Sequence, residues 1–175
     1  GARSDPTLSA WVALALDAAG VDAAALRRGP TTLGAYLARQ EPELVTDIEL
    51  QLMARAALGL DTDALAKALR AEMHRSGRIG PRLNSTIWGI LALRAAGEPA
   101  PKRAVRYLRR HQDKSGGFSF VAKGPPDTND TAAAIQALRA AGFRARAKPI
   151  KRALRFIARA RKGTGGYPLV PGKSP

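Results

Sequence analysis

Residues 112–142 read QDKSGGFSFVAKGPPDTNDTAAAIQALRAAG. In order, this is a helix ending, a glycine-pair turn, a proline-containing loop, a polar helix start and a run of Ala and Leu closed by Gly142. The same closing pattern occurs three times before it: SAWVALALDAAG at Gly20, IELQLMARAALG at Gly59 and TIWGILALRAAG at Gly97. The four glycines are 39, 38 and 45 residues apart, a period that points to stacked helical units. Five residues before each stands an alanine (Ala15, Ala54, Ala92, Ala137), and two before stands another (Ala18, Ala57, Ala95, Ala140). These two columns predict a face on which neighbouring helices approach closely, and the glycine predicts a left-handed C-cap. Twelve residues before the last three glycines, Asp47, Ser85 and Asp130 are predicted N-caps; the first helix is expected to start at Asp5-Pro6 instead.

A second helix is expected after each of these. The clearest are Lys102–His111 and Ile150–Arg161, where Ala104, Val105 and Leu108, then Ala153, Leu154 and Ile157, follow helical spacing. Earlier partners are expected at Thr31–Gln40 and Asp63–Arg75. The result is a single domain of four helical hairpins, at approximately 5–41, 46–79, 84–118 and 130–167. The last two align at a separation of 49: Tyr107 with Phe156, and Gly116-Gly117-Phe118 with Gly165-Gly166-Tyr167. From Gly117 to Thr131 is 14 residues, and the same step from Gly166 leads to position 180. A further helix is therefore due where the sequence stops. Two expectations stay open: a longer array in the parent chain, or a last turn that caps the fold in its own way.

Composition agrees with helix packed on helix. The chain is 45% hydrophobic, largely Ala and Leu, with 5% aromatic residues and no cysteine. The missing cysteines exclude disulfides, thiolate metal sites and cysteine nucleophiles. No apolar run approaches the roughly 20 residues that span a bilayer. A net charge of +15 predicts attraction to anionic surfaces without choosing among them.

Gln112-Asp113-Lys114-Ser115-Gly116-Gly117-Phe118 resembles the Q-x-x-x-G-G-aromatic turn of the prenyltransferase and squalene-oxidase repeat. Asp127-Thr128-Asn129-Asp130-Thr131-Ala132, followed by Ile135-Gln136-Ala137-Leu138, resembles the inner helix that follows that turn. The resemblance covers roughly residues 84–167; Gly77–Gly80 is a degenerate turn of the same kind, and Gln40 is read as a remnant of one. It implies an α/α toroid, with inner helices around a cavity and outer helices facing solvent; four hairpins would make an open or partial ring. The family includes terpenoid cyclases, protein prenyltransferase β subunits, complement thioester domains and cobalamin carriers. The turn also has a physical reading of its own. The paired glycines reverse the chain where side chains would clash, Phe118 covers the joint and Gln112 satisfies loose backbone groups.

The candidate chemistry is thin. Residues 127–132 resemble the D-x-D-D-T-A motif of class II terpene cyclases, whose middle aspartate is the protonating acid. Here that position is Asn129, and an amide has no such proton to give. The expected role of Asn129 and Asp130 is to shape and cap the helix start, with Asp127 in the preceding turn. The zinc set of the prenyltransferases needs a cysteine, so no metal or cofactor is expected. His74 and His111 are expected at helix ends. Trp11 and Trp88 share one column, nine residues before Gly20 and Gly97, and read as core or as the wall of an apolar ligand site. Lys102, Arg103, Arg106, Arg109, Arg110, Lys151, Arg152, Arg155 and Arg159 form a basic outer face, read as solvated or as a phosphate-tracking surface.

The expectation is an all-α, α/α-toroid-type array acting as a non-catalytic ligand-binding or protein-interaction module on its concave inner-helix face. Candidate ligand contacts are Trp11, Trp88, Asp127, Asn129, Asp130 and Gln136. The turn residues Gln112, Gly116, Gly117, Phe118, Gly165, Gly166 and Tyr167 are structural. Expected partners are an apolar small molecule or a protein, an anionic surface on the basic side, and a second copy at the open end. Two alternatives are a terpenoid-cyclase or prenyltransferase-like enzyme acting on an isoprenoid, and a basic solenoid binding polyanions. An extracytoplasmic bacterial setting follows from the resemblance alone.

Overall fold

The computed structural model describes residues 5–171. The fold is all-α, as expected. Among the described residues the helices are α1 (Pro6–Ala18), α2 (Leu33–Ala38), α3 (Val45–Ala57), α4 (Asp63–Ala71), α5 (Leu83–Ala95), α6 (Lys102–Arg110), α7 (Thr128–Ala140) and α8 (Lys148–Ala160). A two-residue antiparallel ladder, β1 (Arg27–Arg28) with β2 (Thr31–Thr32), precedes α2. No helix is long and apolar enough to cross a membrane among these residues.

The closing glycines do what their spacing predicts. Gly20, Gly59, Gly97 and Gly142 all have positive φ, between 66° and 90°. One residue on, the amides of Val21, Leu60, Glu98 and Phe143 return to the carbonyls of Leu16, Arg55, Leu93 and Leu138 at 2.9–3.0 Å. That is the six-to-one bond that ends a helix on a left-handed residue.

Helix starts differ from the reading. Asp47, Ser85 and Asp130 each occupy the third helical position, not the cap, because α3, α5 and α7 begin at Val45, Leu83 and Thr128. The confusion has a physical source: short polar and acidic side chains also suit the first turn, where they face unpaired amides and the positive end of the helix dipole. Asp5 does cap α1, accepting from the Leu8 amide at 2.8 Å. Three second helices are also shifted. Thr31 and Thr32 belong to the small ladder, so α2 starts at Leu33; α4 stops at Ala71; α8 begins two residues early, with Pro149 in its first turn.

The chain forms two compact units, residues 1–72 with 92–98 and residues 73–91 with 99–175. In the first, α1 packs on α3, and α3 on α4. Its core gathers Ala10, Ala13, Leu37, Leu50 and Ala54, with Leu14, Leu33, Tyr36, Met53 and Leu58 against it. Small side chains at Ala10, Ala13 and Ala54 let the two helices come close. In the second, α7 packs on α8, and Ile79, Leu83, Ile87, Ile90, Leu108, Phe118, Leu138 and Ile150 are fully buried.

Of the two alanine columns, one is an interior feature. Ala54, Ala92 and Ala137 are fully buried, although Ala15 is exposed. The second column is not: Ala18 and Ala95 are exposed, and Ala57 and Ala140 only half-buried. The second column falls on the last residue of each helix, Ala18, Ala57, Ala95 and Ala140.

Three polar residues of α3 are buried: Glu49, Gln51 and Arg55. Arg55 donates through Nη2 to the Gln40 carbonyl, and burial lowers its pKa. Oε1 of Glu49 has no hydrogen-bond partner, and burial pushes that carboxyl up to about 9.

Candidate functional site

The candidate site is built by three equivalent turns. At His74, Asp113 and Lys162 the backbone amide donates to the carbonyl four residues on (Arg78, Gly117, Gly166) at 2.8, 3.0 and 2.9 Å. The amides of Gly77, Gly116 and Gly165 return to those same three residues at 2.9 Å. All three glycines have φ between 88° and 99°. The degenerate turn near Gly77 thus has the same geometry as the two glycine-pair turns.

The turns differ in what lies over them. A Cβ on Gly77 would stand 2.2 Å from the Arg103 carbonyl oxygen, and one on Gly116 would stand 2.4 Å from that of Arg152. Each glycine therefore seats the backbone of the next hairpin's second helix. A Cβ on Gly117 would meet Pro126 at 2.7 Å and the Phe156 ring at 2.8 Å. Gln112 clamps this joint: its Nε2 donates to the carbonyls of Gly116 (2.9 Å) and Pro149 (2.8 Å). Arg152 and Arg159 reach the same turn, on the carbonyls of Asp113 and Ser115. Ile79 and Phe118 are consequently fully buried, while the equivalent Tyr167 is 51% exposed and no neighbour stands within 4 Å of a Cβ on Gly165. Gly166 is exposed as well.

The next helix is tied back through a threonine. Thr86 Oγ1 accepts the Ile79 amide at 3.0 Å, and Thr131 Oγ1 accepts the Phe118 amide at 2.8 Å. Both threonines stand eleven residues before a closing glycine, a register visible in the sequence once their role is known.

Residues 127–131 surround this threonine. Asp127 is the cap of α7 and accepts the Asp130 amide at 2.7 Å. This corrects the expectation that Asp127 lies only in the preceding turn and that Asp130 is the cap. Asp130 is buried and accepts from Nδ2 of Asn84 at 2.6 Å, across 46 residues. Burial is the main cause that raises its pKa to about 6; Asn84 opposes the shift and Asp127 adds to it. Thr128 Oγ1 donates to the Pro168 carbonyl at 3.0 Å.

The other candidate residues are not gathered here. Asn129 and Gln136 are exposed on α7. Trp88 is half-buried in α5. Trp11 is 49% exposed on α1, in the other unit. That unit has a cavity of about 390 Å³, walled by Leu8, Val12, Leu26, Leu33 and Tyr36 on its apolar side and by Asp5, Arg27 and Arg28 among its polar residues. His111 Nδ1 lies 2.8 Å from the Tyr107 carbonyl, and His74 Nδ1 pairs with Ser76; both stand just beyond helix ends. Among the described residues no cluster of three or more His, Asp or Glu is placed to hold a metal. The residues missed by sequence reasoning are Asn84, Thr86 and Thr131. Asn84 had a signal: it stands thirteen residues before Gly97, as Asn129 stands thirteen before Gly142.

Residues 89–167 match the family model described as the squalene-hopene cyclase N-terminal domain. No curated protein matches the chain.

Proposed function

We propose that this chain, a member of the prenyltransferase/squalene-oxidase repeat family through residues 89–167, is a non-catalytic module that binds an apolar small molecule or a protein through the face of its inner helices. The observation that carries this reading is the use made of the acids in the motif-like stretch. Asp127 is engaged by the Asp130 amide and Asp130 by Asn84. The position of the protonating acid holds Asn129, which has no carboxyl proton. Asn129 also stands at the register of Asn84, whose amide joins one repeat to the next. The apolar wall of the cavity between α1, the ladder and α2 (Leu8, Val12, Leu26 and Leu33) supports binding of a hydrophobic ligand next to the first inner helix.

The test is incubation of the full chain with squalene and with geranylgeranyl diphosphate plus magnesium. Tryptophan fluorescence would follow binding and mass spectrometry would follow products. The proposal expects saturable quenching by an apolar ligand and unchanged substrates. A cyclised or transferred product, lost in Asp130→Asn, would overturn it.

That outcome belongs to the second reading, an isoprenoid-processing enzyme. Its support is the Asp130 carboxyl, raised to about 6 and so able to keep a proton in mildly acidic solution.

A further inference from the structure

One stretch of the chain carries its whole net charge. Residues 99–175 contain eighteen Lys and Arg against three Asp, whereas residues 1–98 contain eleven charges of each sign. The ion pair Arg70–Glu98 lies outside that stretch. The three acids inside it are committed locally. Asp127 and Asp130 are buried at the start of α7, and Asp113 accepts the Ser115 amide at 2.7 Å. This excess charge is left uncompensated by the fold itself.

Part of the excess converges. Arg106, Arg109 and Arg110 from α6 and Lys148 and Arg152 from α8 line a cavity of about 300 Å³, with no acid in its wall. Several members are held in place by other bonds. Arg152 donates to the carbonyls of Asp113 (2.7 Å) and Lys114 (3.1 Å), Arg109 lies over the Phe143 ring at 5.3 Å, and Arg110 reaches the Ser76 carbonyl at 3.5 Å. Gln112 fixes the floor through its bond to the Pro149 carbonyl. The side chains of Arg106 and Lys148 make no hydrogen bond or ion pair among the described residues. Five cations around one small cavity repel each other, and that repulsion is relieved by an anion of matching charge.

We propose that this cavity is a binding site for a compact polyphosphate, two or three linked phosphates. A single phosphate, with about two negative charges, leaves most of the charge of five cations unbalanced. An extended nucleic acid would favour charge spread along a stripe with stacking aromatics, and no aromatic lines this cavity. Guanidinium groups suit paired phosphate oxygens, and Lys148 adds a point charge. This inference does not rest on the proposed apolar ligand, which would use other helices.

Calorimetric titration of the full chain with inorganic tripolyphosphate and with ATP, at about 50 and 150 mM salt, tests it. Saturable binding of tripolyphosphate at one site is expected, persisting at the higher salt. Arg106→Gln and Lys148→Gln should each weaken it about tenfold with the helical signal intact. Arg155→Gln, exposed on α8 but outside the cavity wall, should change it by about twofold at most. ATP binding as tripolyphosphate does would place the phosphates at the end of a larger ligand; tripolyphosphate alone would identify the free chain. Equal weakening by all three variants would overturn the site in favour of diffuse attraction. So would ATP binding without tripolyphosphate, or tighter binding of a DNA duplex with the same response from every variant.

Discussion

Asp130 and Glu49 are acids that the fold stabilises in their neutral form, the one raised from 3.8 to about 6 and the other from 4.5 to about 9. Burial is the leading cause for both. A carboxyl whose folded pKa is raised favours folding fully below its unfolded value, and that contribution is lost as pH rises through the folded one. For Asp130 the loss falls between about pH 4 and 6; for Glu49 it extends to pH 9 and reaches about 4 kcal/mol by pH 7.5. Urea denaturation should therefore show stability falling from pH 4 to pH 8. Asp130→Asn should flatten the lower part of that profile, and Glu49→Gln should raise stability at pH 7.5 by a few kcal/mol. An unchanged profile in both variants would mean that neither carboxyl is desolvated. Little in the residue pattern signals either shift. Glu49 lies in an amphipathic helix where an acid is expected outside, and Asp130 meets Asn84 only through a fold that joins positions 46 residues apart.

At the scale of the element, the two glycine-pair turns offer a comparison within one molecule. Gly116 and Gly165 have the same left-handed backbone, φ +99° and +88°, yet only Gly116 lies against another chain segment. Gly165→Ala should cost about 1 kcal/mol, the strain of a side chain in that conformation. Gly116→Ala adds a collision with the Arg152 carbonyl and should cost about 3 kcal/mol or more. Thermal melts of the two variants would separate these effects, and equal losses would contradict the seating of α8 on the turn. Helix identity, the closing glycines and the turn were legible because each depends on local residue chemistry repeated along the chain. Helix starts were less so: the capping of α3 begins at Leu44, with no side-chain bond, while Asp47 three positions later carries the more familiar signal. Thr31 and Thr32 carry no signal that separates them from the helix that follows, since a two-residue ladder has no periodicity of its own.

For the molecule as a whole, the repeat is held together by polar joints as well as by apolar burial. The amide of Asn84 on the carboxyl of Asp130, Thr131 on the Phe118 amide and Gln112 on the Pro149 carbonyl link successive hairpins within residues 73–91 and 99–175. On this account the acids that resemble a cyclase motif are part of the joinery. A double-mutant cycle on the full chain at pH 7.5, using Asn84→Ala, Asp130→Ala and the pair, addresses that claim most directly. The account predicts a favourable coupling of about 1–2 kcal/mol in urea denaturation. Strictly additive losses would contradict it, leaving Asp130 without a structural partner and available to act as an acid.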